Sequence, residues 1–238
     1  MRCNEFDQPI GDSVDGWLPR PAPAPVTLMG QYARLEPLSQ AHRGAVAELG
    51  AIPQLWTYRP DGPLAPDEVG EWIERRVAET ATVTFAVVRL GLGVGGDEEA
   101  VQGMCSLMRT DATGGVTEIG AILYSPDLQG TAASTEVTHV VARHVFDDLG
   151  YRRLEWKCDS LNEPSRRAAA RLGFTYEGRF RQHLVYRGRN RDTDWFSIID
   201  AEWPAIRAEH ERWLDPSNFD ADGRQLTKLM VRQPTDLT

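Results

Sequence analysis

The chain has 238 residues, of which 41% are hydrophobic and 26% charged, a mixture that buries a globular core without help from disulfides or metals. Its 35 acidic side chains outnumber 26 basic ones and give a net charge of −9, which argues against a general nucleic-acid binder and against attachment to an anionic membrane. Three widely spaced cysteines exclude a disulfide framework and a CxxC metal knuckle, so we expect reduced, buried thiols. The N-terminus has no apolar signal core, and no apolar run approaches the ~20 residues of a membrane span, so we expect a cytoplasmic protein.

The first third of the chain predicts an extension followed by one strand and two helices. Residues 1–25 end in alternating prolines, which favour extended chain, and this extension either wraps over the surface or stays disordered. Residues 32–36 predict a strand. Ser39 is placed to cap a helix that ends at Gly50. A second helix is predicted from Pro66 through residue 80, with acidic residues in its first turn.

The remaining elements alternate in a way that predicts a mixed α/β sheet. Strands are predicted at 83–90, 100–108, 116–124, 154–158, 175–186 and 195–200, with helices at 134–149 and 162–172. The order β-α-α-β-β-β-α-β-α-β-β is typical of a layered sheet that carries helices. We divide the chain into the extension (1–25), a globular domain (26–204), and a C-terminal helix and tail (205–238).

Two patterns that suggest ligands fail on their context. Residues 91–96 satisfy G-x-G-x-x-G, but three acidic residues and a strand follow them, whereas a dinucleotide site needs a helix there. We interpret the glycines as a hairpin loop. His139 and His144 are five residues apart, which does not place them on one helix face, so no metal site is expected and capped or surface imidazoles are favoured.

The strand at 116–124 enters a turn of small residues that opens a long helix. The turn consists of Gln129, Gly130, Thr131, Ala132, Ala133 and Ser134. Consecutive backbone N–H groups and a helix N-terminus at one point are suited to binding a pyrophosphate. On its own, this pattern is equally typical of a capped strand-to-helix turn.

An ordered set of motifs around this turn resembles the GNAT acetyltransferases, specifically the branch related to ribosomal-protein N-terminal acetyltransferases. The motifs are Pro126-Asp-Leu-Gln129-Gly-Thr, Thr135-Glu136, Arg153-Leu-Glu-Trp-Lys157, Asn162-Glu-Pro-Ser165-Arg166, Arg171-Leu-Gly-Phe174, Tyr176-Glu-Gly178, Arg191-Asp192 and Glu202-Trp-Pro204. A weaker match, Leu55-Trp-Thr-Tyr58 with Gly62-Pro63, precedes them. Each motif is weak alone, but their common order over residues 30–204 is specific.

The resemblance implies a GNAT fold, in which a twisted, mixed and mostly antiparallel sheet carries helices on both faces. It also implies transfer of an acetyl group from acetyl-CoA to a primary amine, by direct attack in a ternary complex and without a metal. The family's pyrophosphate signature, Q/R-x-x-G-x-G/A, maps onto Gln129, Ala132 and Ser134. Ala132 departs from it, and its methyl group would impede close approach of a phosphate if this position requires a positive φ.

The resemblance also assigns the cofactor side of the site. The backbone of Ile122, Leu123 and Tyr124 would pair with the pantetheine arm, and an N–H there would polarise the thioester carbonyl. Asn162 and Ser165 would face the thiol end of CoA. Ser165 would protonate the departing thiolate, and the alternative for it is a helix-capping hydroxyl.

The acceptor side needs a base, because an amine must lose a proton to attack. Glu118 is the candidate base, since a half-buried carboxylate has a raised pKa and accepts a proton near neutrality. The alternative for Glu118 is an ion pair with a neighbouring arginine. Glu136 is expected to support the first turn of its helix. Trp56 and Tyr58 would line the acceptor pocket, with aromatic core packing as their alternative.

Three functions remain open: an active N-acetyltransferase, a degenerate member that binds CoA or a partner without turnover, and an RNA- or ribosome-associated protein. Ala132 motivates the second, and the third, which is disfavoured, is motivated by five arginines at 179, 181, 187, 189 and 191. The acceptor is a protein N-terminus or a small-molecule amine, and the protein is a monomer or a homodimer.

The charge is segregated along the chain. Residues 152–191 carry 11 basic and 4 acidic side chains, a net charge of +7, and the remainder carries −16. The basic block coincides with the half expected to meet the phosphates of CoA.

Overall fold

An eight-stranded sheet forms the centre of the molecule, and helices cover both of its faces. The computed structural model describes residues 2–91, 99–221 and 223–231. All but one of the strand pairs in this sheet are antiparallel. The predicted mixed, mostly antiparallel α/β fold is therefore confirmed. The glycine pattern at 91–96 falls almost wholly outside the described residues.

The strands in chain order are β1 (Arg2–Cys3), β2 (Pro9–Ile10), β3 (Leu28–Met29), β4 (Ala33–Pro37), β5 (Val83–Arg89), β6 (Ala100–Asp111), β7 (Val116–Tyr124), β8 (Arg153–Asp159), β9 (Thr175–Tyr186) and β10 (Arg189–Ile199). The helices are α1 (Arg43–Gly50), α2 (Val69–Ala78), α3 (Ala132–Arg143), α4 (Glu163–Arg171) and α5 (Trp203–Leu214). A 3-10 turn, Gln40–His42, precedes α1, and a π-helical turn, His144–Asp148, continues α3.

The order of the predicted elements is confirmed, whereas several bounds differ. The strand predicted at 195–200 is the second half of β10, which begins at Arg189 because it pairs with β9 across a tight turn. The boundary proposed at residue 204 lies within the first turn of α5, and this helix packs on α3. The division into three segments stays a prediction.

Alternation along the strands supplies two cores. Phe85, Val87 and Cys105 face the side covered by α3, α4 and α5, whereas Ala86 and Met104 face α1 and α2. Side chains in a strand alternate between the two faces of the sheet, so one run of apolar residues serves both layers. The sheet order is β3-β4-β5-β6-β7-β8-β10-β9.

The N-terminal extension wraps over the surface, which is one of the two predicted alternatives. β1 and β2 form a small separate hairpin. Trp17 then lies against Gly115 in the β6–β7 turn, donates its indole N–H to the Thr113 carbonyl at 2.8 Å, and stacks under Arg20 with 4.4 Å to the ring centroid. Cys3 in this extension is exposed, which corrects the expectation of three buried thiols, while Cys105 and Cys158 are buried. No helix in the described part of the chain is long and apolar enough to cross a membrane.

A buried carboxylate joins the start of β4 to α3. Glu136 accepts the backbone N–H groups of Gln31, Tyr32 and Ala33 at 2.7, 2.6 and 2.8 Å. Gly30 permits this approach, because a Cβ at that position would lie 2.3 Å from the Glu136 Oε2. The expectation that Glu136 only supports its own helical turn is therefore wrong: its carboxylate serves a distant strand.

Replacing Glu136 with glutamine tests this junction. The amide would turn an N–H donor toward backbone N–H groups, so we expect Glu136→Gln to lose on the order of 1–3 kcal/mol of unfolding free energy. Urea denaturation measures the loss, with Glu48→Gln on an exposed face of α1 as the matched control. A Glu136→Gln stability within about 0.5 kcal/mol of the wild type would contradict the junction.

Two buried imidazoles meet between α3 and α5. The ring centroids of His139 and His210 are 5.7 Å apart, and Trp203 packs on both. Burial lowers the pKa of His139 and of His210 to about 4. His144 is also buried, and its Nδ1 lies 2.8 Å from the Asp148 carboxylate. The surface position favoured for His139 and His144 is thus wrong, because α5 covers this face of α3. No group of three or more potential metal ligands occurs among the described residues.

This pair predicts acid sensitivity. The unfolded chain takes up protons below about pH 6.5, whereas the folded state resists them until about pH 4, so the free energy of unfolding falls as the pH drops through this window. The loss is on the order of 2–3 kcal/mol per histidine at the acidic end. The charged groups nearest the pair are Arg143, Asp147, Arg171, Arg207, Glu209 and Glu211.

Urea denaturation at several pH values between 7.5 and 4.5 measures this dependence. We expect His139→Leu to flatten it, while His183→Gln, which removes an exposed imidazole, leaves it unchanged. An unaltered slope in His139→Leu would show that the acid loss arises elsewhere.

Candidate active site

A cleft opens where two parallel strands separate. β7 and β8 pair in parallel only from Val116↔Arg153 to Glu118↔Glu155. Beyond this point β7 continues to Tyr124, while β8 pairs with β10 as far as Asp159. Ala121 has a φ of 51° at the register shift between β6 and β7, so a bulge lies where the strands part.

The cleft brings together nearly all of the predicted site residues. Its lining includes Tyr58, Glu118, Ile122, Leu123, Tyr124, Gln129, Gly130, Thr131, Ala132, Ala133, Ser134, Asn162 and Ser165. These residues come from β7, the turn that follows it, α4 and the segment before α2. Their individual roles stay predictions.

The turn after β7 leaves free donors at the mouth of α3. Thr131 is the N-cap, and its Oγ1 accepts the Ser134 N–H at 3.2 Å. Gly130 carries the positive φ, +73°, and a Cβ there would meet open space. Within the described residues, the N–H groups of Ala132 and Ala133 have no hydrogen-bond partner. Two free N–H groups at a helix N-terminus fit a phosphate group.

This geometry resolves the departure at Ala132. Ala132 is the first residue of α3, and it is not among the described non-glycine residues with positive φ. The backbone conformation that requires glycine belongs to Gly130, which the sequence retains. The methyl group of Ala132 therefore imposes no strain on the turn.

The start of α4 separates the roles of its two polar residues. Asn162 caps the helix, because its Oδ1 accepts the Ser165 N–H at 3.2 Å. Ser165 Oγ accepts the indole N–H of Trp156 at 3.0 Å. The capping alternative for Ser165 is thus wrong, and its hydroxyl proton remains available to another acceptor.

Glu118 lies in an ion-pair network on the cleft floor. Its carboxylate is 2.9 Å from Arg109 Nη1 and 3.1 Å from Lys157 Nζ. Lys157 also contacts Glu155 at 2.8 Å and lies 3.6 Å from the centroid of the Trp195 ring. The ion pair that was the alternative for Glu118 is present, although the same carboxylate lines the cleft.

The two aromatic candidates separate. Tyr58 is half-buried on the cleft wall and donates its hydroxyl to the Leu161 carbonyl at 3.1 Å. Trp56 is fully buried under α1 and α2 and donates its indole N–H to the Leu49 carbonyl at 3.0 Å. The prediction that Trp56 lines the pocket is wrong, because its apolar ring is packed in the core instead.

Sequence reasoning missed three basic residues around the cleft. Lys157 lies within a motif that was noted only as a strand, Arg59 directly follows Tyr58, and Arg187 was counted only as surface charge. Arg187 donates to the carbonyls of Trp56, Thr57, Arg59 and Gly62, and so ties the β9–β10 turn to the cleft wall. No local pattern marks such contacts, because they join segments about 130 residues apart.

Comparison with known protein families agrees with this geometry. The profile of the acetyltransferase (GNAT) domain family matches residues 33–175, which contain β4 through α4. A GCN5-related N-acetyltransferase from Brucella melitensis has a crystal structure 41% identical in sequence to this chain, with a TM-score of 0.84 over 91% of this chain and 97% of the other. A GNAT-family protein from Chromobacterium violaceum, described as a probable acetyltransferase, is 33% identical, with a TM-score of 0.75 over 83% and 98% of the two chains.

A curated relative points to the branch within the family. YdaF of Bacillus subtilis (strain 168), named provisionally as a ribosomal N-acetyltransferase, is 29% identical over 101 residues. That match spans 42% of this chain and 55% of YdaF, so this chain covers little more than half the length of that relative.

Two small-residue substitutions test the turn before α3. Gly130→Ala places a side chain at positive φ, a conformation that costs roughly 1–2 kcal/mol, so we expect acetyl-CoA to bind about 5–30-fold more weakly. Ala132→Gly, two residues on, should leave the Kd within about twofold, because Ala132 is unstrained. Isothermal titration calorimetry measures both. The reverse order of effects would mean that Ala132 carries the critical conformation.

Proposed function

This chain belongs to the acetyltransferase (GNAT) domain family, and on that premise we propose that it transfers the acetyl group of acetyl-CoA to a primary amine by direct attack in a ternary complex. The observation that carries the proposal is the cleft itself. It joins free N–H donors at the N-terminus of α3, an open length of β7 and a buried carboxylate.

The residues of the turn fit the cofactor. The unpaired N–H groups of Ala132 and Ala133, beside the open backbone at Gly130, would hold the pyrophosphate. Backbone groups of Ile122, Leu123 and Tyr124 would hold the pantetheine arm where β7 has separated from β8. Bound acetyl-CoA would supply the activated thioester.

The side chains account for both protons of the transfer. The amine nitrogen forms a bond to the acetyl carbon as the carbon–sulfur bond breaks. Glu118 takes the proton that the amine gives up, and Ser165 gives its hydroxyl proton to the departing thiolate, regaining one from solvent. An N–H of the open β7 backbone polarises the carbonyl as charge develops on its oxygen.

The buried thiols support direct attack over an acetyl-cysteine relay. Burial raises the pKa of Cys158, on the cleft wall, to about 11 and the pKa of Cys105 to about 12. Both therefore stay protonated at neutral pH, whereas the nucleophilic form of cysteine is the thiolate.

The competing functions lose their motives. Binding without turnover was suggested by Ala132, which the structure places in an ordinary helical turn. The arginines that suggested RNA binding are partly engaged inside the molecule, because Arg179 pairs with Asp194 and Arg187 is bound to four carbonyls. We retain an N-acetyltransferase, in the cytoplasm, as monomer or homodimer.

The acceptor is a protein N-terminus or a small-molecule amine. The name of YdaF supports including ribosomal-protein N-terminal peptides among the candidates. A free-thiol release assay with a panel of such peptides and small amines, crossed with several acyl-CoAs, identifies the pair used. Saturable acetyl-CoA binding with no thiol release for any amine would overturn the enzymatic function.

Glu118→Gln tests the proton acceptor. We expect turnover to fall by about 10²–10⁴-fold while the Kd for acetyl-CoA stays within about twofold, because the carboxylate is needed for the amine and not for the cofactor. Steady-state kinetics and calorimetry measure the two quantities.

Glu155→Gln is the matched control. It removes a second carboxylate partner of Lys157 without touching the cleft-lining carboxylate. Equal turnover losses in both variants would assign Glu118 to the ion-pair network, and unchanged turnover in Glu118→Gln would remove it from the role of base.

A further inference from the structure

A buried arginine contacts the bulge that opens the cleft. Arg59 lies in the segment between the 3-10 turn Pro53–Trp56 and α2, and it is only 8% exposed. Its Nη1 donates to the carbonyl of Ala121 at 2.6 Å. Ala121 is the β7 residue with a φ of 51°, three residues past the last pair shared with β8.

This contact replaces a missing strand. Where β8 has turned away, a buried β7 carbonyl without a donor would cost free energy comparable to a lost hydrogen bond. A positive φ at alanine adds roughly 1–2 kcal/mol of strain. A charge-assisted bond from a guanidinium offsets both costs, and it comes from outside the sheet.

The same contact orients the next peptide group. The Ala121 carbonyl and the Ile122 N–H belong to one planar trans peptide and therefore point in opposite directions. Holding the carbonyl toward Arg59 fixes the direction of that N–H. The orientation of the following residues, through Tyr124, depends on the same peptide.

Arg59 is itself held from three sides. Asp61 accepts from its Nε at 3.1 Å and from its Nη2 at 2.9 Å, and Asp61 is also paired with Arg76 of α2. The guanidinium lies 5.0 Å from the centroid of the Trp56 ring. Arg187, in the β9–β10 turn, donates to the Arg59 carbonyl at 2.7 Å. The guanidinium is thus fixed before any ligand arrives.

We propose that Arg59 is a positioning residue for acetyl transfer: by holding the Ala121 carbonyl it keeps the β7 bulge, and so the backbone that receives the pantetheine arm, in its binding geometry. This inference rests on the proposed function. It assigns Arg59 no contact with the reacting atoms, and its action runs through the backbone of β7.

Two measurements on Arg59→Met, Arg59→Lys and the control Arg75→Met test it. Arg75 lies on α2 with an exposed side chain paired to Glu71, away from the cleft. In the protein without ligand, we expect amide hydrogen exchange over residues 119–124 to be at least threefold faster in Arg59→Met. We also expect its Kd for acetyl-CoA to rise about tenfold. Arg59→Lys, which keeps one donor, should fall between Arg59→Met and the wild type, and Arg75→Met should match the wild type.

The outcomes separate positioning from simple stabilisation. A structural role alone would lower the melting temperature and speed exchange around residues 53–63, leaving residues 119–124 and the Kd unchanged, and that result overturns the proposal. If Arg59→Met does not fold, Asp61→Asn, which loosens the guanidinium, must also speed exchange at 119–124, and unchanged exchange there overturns it. A wild-type protein that does not bind acetyl-CoA would defeat the proposed function, while the exchange comparison would still decide the role of Arg59.

Discussion

The site depends on the point where two parallel strands stop pairing. A parallel pair inside a sheet normally satisfies both backbones along its length, and ending it early leaves polar groups in search of partners. Here the pairing of β7 with β8 ends at Glu118↔Glu155, and β7 runs on to Tyr124. The unpaired length of β7 is the costly feature of the fold, and it is also the feature that a ligand with an extended amide backbone can complete.

The surrounding elements satisfy this open backbone in part. Arg59 takes the Ala121 carbonyl, and Gln129 donates its side-chain amide to the Tyr124 carbonyl at 2.9 Å. Thr131 caps α3, but the N–H groups of Ala132 and Ala133 stay unpaired. The protein therefore stabilises the shape of the cleft with its own side chains and leaves donors where an anionic group would lie. Such preorganisation lowers the cost of ordering on binding.

Charge in the cleft follows the same division. The phosphate end is built from backbone donors and a helix terminus, whereas the floor carries alternating side-chain charges, Arg109, Glu118 and Lys157. Paired ions in a half-buried site hold one another in place at the expense of desolvation. An amine arriving at Glu118 therefore meets a carboxylate already oriented by two cations, and it competes with Lys157 for the carboxylate oxygens.

How far the sequence predicts the molecule depends on the range of the interactions. Periodicity, caps and punctuating glycines predicted the order of the main elements, and the turn from Gln129 to Ser134 was found because its donors are contiguous in the chain. Trp56 was misplaced because an aromatic residue beside a pocket motif has the same local pattern whether it lines a wall or fills a core. The face of α3 that bears His139 was misjudged because α5, which covers it, lies some 60 residues further along.

The sequence by itself determined the elements, the family resemblance and the position of the phosphate-binding turn, since each rests on residues within a few positions of one another. Only the tertiary structure decided that the positive φ belongs to Gly130 and not to Ala132, that Glu136 serves β4, and that Arg59 and Arg187 hold the cleft wall. The physical reason is that a buried donor or acceptor takes whichever partner the packed chain brings within hydrogen-bond distance, and chain order does not specify that partner.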